Sequence, residues 1–98
     1  MSYELGREYV SDRIEGLIKD GVSKPGEIIF QEREMMRRLN ELHVRHVELN
    51  ALIIRLELRD PGSVKRYRGD FQEVGEQISD LLGELREKGI GFWYNPGR

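Results

Sequence analysis

Two histidines, a short run of carboxylates and a set of arginines are the residues of this chain with the most chemistry to offer. His43 and His46 lie three apart, a spacing that lets two imidazoles on one helical turn share a metal ion. The pattern lacks a third ligand, because Val74 and Ile78 are the residues expected to face His46. Glu73, Glu76 and Asp80 form a carboxylate ridge of the kind that holds magnesium in all-helical nucleotide hydrolases. Their spacing from Phe71, Val74, Ile78 and Leu81 turns them outward, so a solvated ridge is the expectation. Arg33, Arg37 and Arg38 are candidates for phosphate contact, as are Lys65, Arg66 and Arg68. Acidic neighbours at helical spacing, such as Glu34 with Arg38 and Glu41 with Arg45, favour surface ion pairs instead. Neither a glycine-rich phosphate loop nor a nucleophile triad can be assembled. The expectation is therefore a protein that is not an enzyme, with no cofactor and no metal site.

The elements carrying these residues are set by two apolar stripes that mirror each other across Pro61-Gly62. Read backwards from that turn, one side gives Leu56, Ile53, Leu49, His46, Leu42, Leu39, Met35, Glu32 and Ile28. Read forwards, the other gives Val64, Tyr67, Phe71, Val74, Ile78, Leu81, Leu85, Lys88 and Phe92. Both step alternately by three and four, so a fold-back at the turn brings each member to its counterpart: an antiparallel helical hairpin with a coiled-coil seam. Its polar members are placed too, with Glu32 opposite Lys88 and His46 opposite Val74.

The expected fold class is all-α: this hairpin plus a short N-terminal helix, in a three-helix arrangement. The helices span about 5–20, 27–59 and 63–88, with an aromatic C-terminal tail over 89–98. Gly21 has the position of a helix-terminating glycine and Val22 to Gly26 that of a loop. Pro61 stops the second helix and Ser63 is placed to cap the third. In the tail, an extended course is expected, with Phe92 near Ile28. Trp93 and Tyr94 either close the open end of the hairpin or dock a partner.

Composition narrows the class. The chain has 98 residues, 35% of them charged, no cysteine and a formal net charge of −2. One domain over 1–98 is expected, without disulfides or thiolate metal sites, and without the overall basic surface that gripping nucleic acid requires. No stretch approaches the roughly 20 apolar residues of a membrane span, and the N-terminus lacks a secretion signal, so a soluble, cytoplasmic protein is expected.

A possible strand at Ser2 to Leu5, a helix to Gly21, a loop, and a second helix opening at Glu27-Ile28-Ile29 form an order that resembles the ribbon-helix-helix repressors. The resemblance covers less than half of the chain. It departs at Arg33, where that fold needs an apolar core residue, and in the length of the second helix. What it implies is a DNA-binding regulator that uses the N-terminal helices.

One feature remains unexplained by the hairpin. Val44, Val47, Ala51, Ile54 and Leu58 form a second apolar stripe on the side of the second helix away from the seam. An uncovered stripe of this size marks an interface, and the first helix is expected to end its cover at about His43. The same stripe of a second molecule, crossing near Ala51, would cover it in a dimeric four-helix bundle. The reading is a homodimeric protein-interaction module, an adaptor or regulator, ahead of the DNA-binding regulator and a small metal-dependent nucleotide hydrolase.

Overall fold

The computed structural model describes residues 2–97; Met1 and Arg98, the ends of the expected single domain and its tail, lie outside the described residues. The element order is β1 (Ser2–Leu5), α1 (Arg7–Lys19), α2 (Pro25–Arg59), a 3-10 turn (Pro61–Ser63), α3 (Val64–Glu87) and β2 (Phe92–Asn95). The helices match the apolar periodicity to within two residues at each end. The chief difference is at α2, which starts on Pro25, a residue whose missing N–H costs nothing in a first helical turn.

Both shorter helices end in the same way. Gly21 and Gly89 take left-handed backbone angles, with φ of 79° and 68°. Around the first, the Gly21 N–H donates to the Ile18 carbonyl and the Val22 N–H to that of Leu17. Around the second, Gly89 donates to Arg86 and Ile90 to Leu85. This double closure satisfies carbonyls that a helix end leaves open, and glycine alone enters it without a Cβ penalty. It also turns Ile90 back onto Leu85, and both are buried.

α2 and α3 form the helical hairpin. Leu39, Leu49 and Ile53 of α2 are buried, as are Val64, Val74, Leu81 and Leu85 of α3. The remaining seam residues are at least half-buried except Lys88. His46 stacks on Phe71 with ring centroids 4.0 Å apart and planes 12° from parallel. A Cβ on Gly75 would lie 3.4 Å from its Nε2, so the imidazole occupies the level between Phe71 and Gly75. Glu32 and Lys88 do not pair as expected. Lys88 is exposed and its ammonium meets Glu84 at 3.3 Å, the shorter path from a helix end. The expected serine cap also differs. Ser63 stands at the N-cap position of α3 with helical backbone angles, but its side chain makes no capping bond: its hydroxyl donates to the Asp60 carboxylate at 2.6 Å and its N–H to the Asp60 carbonyl at 3.1 Å.

The larger departure from an all-helical reading is a two-stranded antiparallel ribbon made by the chain ends. β1 pairs β2 with Tyr3 opposite Tyr94 and Leu5 opposite Phe92. The tail is extended, as expected, but Phe92 is held by Leu5 and Tyr3, and the ribbon lies along α2. What holds it there is Asn40 on α2. Its Oδ1 accepts the Tyr3 N–H at 2.6 Å and its Nδ2 donates to the Tyr3 carbonyl at 3.1 Å. One amide side chain thus presents the donor and acceptor that a neighbouring strand would, and closes part of the free edge of β1. Tyr3, Leu5, Tyr9 and Phe92 then pack onto a core of Met36, Leu39, Leu81, Leu85 and Ile90.

The join between ribbon and α1 is tight. Gly6 donates its N–H to the Gly91 carbonyl at 3.1 Å, and a Cβ on Gly91 would sit 2.9 Å from the Tyr9 Cβ. Gly91→Ala therefore forces Tyr9 or the ribbon to move and should destabilise the fold by about 1–3 kcal/mol. Gly83 in α3 has open space around it, so Gly83→Ala should stabilise by about 0.5–1 kcal/mol through helix propensity. Urea unfolding of the two variants should show these opposite signs. Asn40→Ala leaves two backbone groups of Tyr3 without their partner and should cost about 1–3 kcal/mol, with faster hydrogen exchange at β1 than at the α2–α3 seam.

Candidate functional site

One face of α2 organises the surface of the molecule. Steps of three and four along the helix place Met36, Asn40, Val44, Val47, Ala51, Ile54 and Leu58 in one row, with Ile29 two turns before Met36 and the exposed Arg33 between them. Ile29 and Met36 are buried, and Asn40 is taken by the ribbon. From Val44 onward the row is bare. Val44, Val47 and Ile54 are 52%, 53% and 52% exposed, Leu58 is 84% exposed, and Ala51 is exposed as well. The five residues of the expected stripe thus lie together on the surface, as a continuation of the face that the rest of the chain covers.

At the boundary between covered and bare halves is an open groove of about 900 Å3. Its walls come from Tyr3, Leu5 and Val10 on one side and Met36, Asn40 and Val44 on the other. Arg7, Arg33, Arg37 and Arg45 rim it together with Glu4, Glu41 and Glu48. Arg37 is held by Glu34 at 2.9 Å and by Glu41, and its pKa is raised, first by the Glu34 hydrogen bond and then by the two carboxylate charges. Arg33 and Arg38 are exposed and form no ion pair with another described residue. Of Arg33, Arg37 and Arg38, one is therefore engaged and two are open, and near the turn Arg68 is engaged by Glu57 at 2.6 Å.

His43 and His46 turn to different partners. His43 meets the ribbon edge-on, with its ring 5.7 Å from Tyr3 and 5.6 Å from Tyr94, while His46 lies on Phe71 of α3. Glu73, Glu76 and Asp80 are exposed along α3. Among the described residues, no group of three or more metal-ligating side chains converges. Tyr94 lies against Tyr3, with ring centroids 5.0 Å apart, and is still 37% exposed; Trp93 is on the outer side of the ribbon opposite Glu4 and is about half exposed. No described helix is long and apolar enough to cross a membrane.

A polar cluster that the sequence signalled only by a carboxylate in an apolar row joins α1 to the hairpin. Glu32 is buried; its Oε1 accepts the Tyr9 hydroxyl at 2.8 Å and the Arg13 Nε–H at 3.3 Å. Tyr9 and Arg13 are four apart on α1, so one helical face supplies both donors. No family model, curated protein or solved structure matches the chain.

The Tyr9 hydroxyl is pushed up to about 12, first by burial, then by its hydrogen bond to Glu32 and the negative charge there. Its neutral form is favoured by folding, so its contribution is complete below the ordinary tyrosine value near 10 and is lost as pH rises through about 12. Tyr9→Phe should lower stability at neutral pH and remove that part of the alkaline loss. Unfolding curves of parent and variant between about pH 9 and 12 should converge.

Proposed function

We propose that this protein is a homodimeric helical interaction module, an adaptor or regulator that works by binding another macromolecule, with the bare half of α2 as its self-association surface. The observation that carries the reading is the uncovered run of Val44, Val47, Ala51, Ile54 and Leu58 on the face whose other half the chain covers with α1 and the ribbon. Beyond the ribbon, the α2–α3 arm is only two helices thick. A second arm laid on this face gives four helices around a shared apolar centre. Ala51 in the middle of the row allows the two α2 helices to approach closely.

We take the α2–α3 seam as coiled-coil packing, supported by its unbroken three-four spacing and by the buried Leu39, Leu49, Ile53, Val74, Leu81 and Leu85 along it.

Ile54→Glu places a charge in the proposed interface of each copy. Light scattering at tens of micromolar should report a dimer for the parent and a monomer for the variant, with the same helical circular dichroism. Two like carboxylates near a two-fold axis should cost several kcal/mol, about a hundredfold or more in dissociation constant. A monomeric parent would reject self-association. Retention of the parent on heparin with release at modest salt would favour the DNA-binding regulator, with Arg33 and Arg38 as the open contacts.

A further inference from the structure

We infer that the second copy lies antiparallel on the bare half of α2, centred near Ala51, with Glu48 of each copy paired to Arg55 of the other. The inference rests on the self-association reading above and adds the orientation and register of the interface.

Two independent observations select this arrangement. The first is steric. The ribbon and α1 occupy the row through Met36 and Asn40, and the same row is bare from Val44 to Leu58. A parallel partner in register would place its own ribbon against this one and hold the two bare halves apart. An antiparallel partner centred near Ala51 carries its α2–α3 turn to the level of Val44, so neither ribbon lies between the helices. Val47 then faces the partner's Leu58, and Ala51 faces the partner's Ile54, which alternates large with small across the axis. The partner's turn also arrives at the mouth of the groove that Val44, Arg45 and Glu48 line.

The second observation is charge. Glu48 and Arg55 are seven residues apart and flank the row on one side, the side away from the Glu57–Arg68 ion pair that links α2 to α3. Both are exposed, and neither forms an ion pair with another described residue. In a parallel pair each flank meets the opposite flank of the partner, so Glu48 would face His43 and Arg55 would face Asn50 of the second copy, and both charges would go without an ionic partner. In the antiparallel pair Glu48 meets the partner's Arg55, and the two-fold axis makes that contact twice.

Charge exchange tests the register without touching the apolar row. Glu48→Arg and Arg55→Glu each create two like-charge contacts and should weaken the dimer at least about tenfold in sedimentation equilibrium at low salt. The double variant Glu48→Arg/Arg55→Glu restores opposite charges and should return the dissociation constant to within about threefold of the parent. An equimolar mixture of the two single variants should also dimerise, because all contacts in the mixed pair are then complementary. Single variants as tight as the parent, or a double variant as weak as the singles, would overturn the register while leaving self-association standing. A parent that remains monomeric, with Ile54→Glu indistinguishable from it, would overturn the self-association reading and the register with it.

Discussion

The need to cover α2 along its whole length shapes everything else in this molecule. A helix of 35 residues is roughly 50 Å long and gains most of its stability from what packs on it. α3, with 24 residues, serves one face along most of that length. The adjacent face receives α1 near its start and the ribbon in its middle, and beyond the ribbon no described element lies on it. The molecule measures 59 × 27 × 17 Å, the shape of a helix pair thickened at one end only. The bare row of apolar residues is what this distribution of cover leaves behind.

Covering the thick end requires polar groups as much as apolar ones. A strand laid on a helix presents backbone donors and acceptors that the helix backbone, already bonded internally, cannot answer. Asn40 answers them with its side-chain amide, and so fixes the position of the ribbon along α2. Glu32 has the corresponding role for α1. A buried carboxylate is costly unless charged or hydrogen-bonding partners meet it; Tyr9 and Arg13 both meet its Oε1 from one turn of α1, while Oε2 is buried without a partner among the described residues. The close approach at Gly91 then couples the two contacts, since Tyr9 packs on the ribbon with its ring and reaches Glu32 with its hydroxyl.

The parts of this fold that follow from local repetition were legible in the sequence. The three-four spacing reports which side of α2 meets α3, because a period near 3.6 permits only one face to carry all those residues. Gly21 announced its helix end for an equally local reason, the backbone angle it must adopt. Each strand of the ribbon was suggested locally, Ser2 to Leu5 as a strand and the tail as extended, but their pairing was not: two strands of four residues far apart in the chain pair over a separation that no periodicity spans. Asn40 reads as an ordinary polar residue until a strand is beside it. Ser63 and Lys88 misled because each has a competing partner close in sequence, Asp60 and Glu84, that wins over the expected cap and cross-helix pair. Glu32 stood out as a carboxylate in an apolar row, but its partners on α1 depended on how that helix docks.

The bare row is informative because of where it begins. Scattered apolar residues on a surface need no partner, since much of any folded surface is apolar. A row that runs from buried Met36 through a tethered Asn40 into exposed Val44, Val47, Ile54 and Leu58 is different, because the sequence keeps core spacing after the core has ended. Nothing in the packing of α2 against α3 requires those positions to be apolar; Arg38 and Glu57 elsewhere on the helix surface show that charged residues are accommodated on this helix. Helix stability would be as well served by alanine, lysine or glutamate there. The feature that branched and long aliphatic residues add is capacity to bury area against a second surface. That capacity is used over the N-terminal half of the face by the chain's own ends, and the same physical demand on the other half is what the proposed antiparallel partner meets.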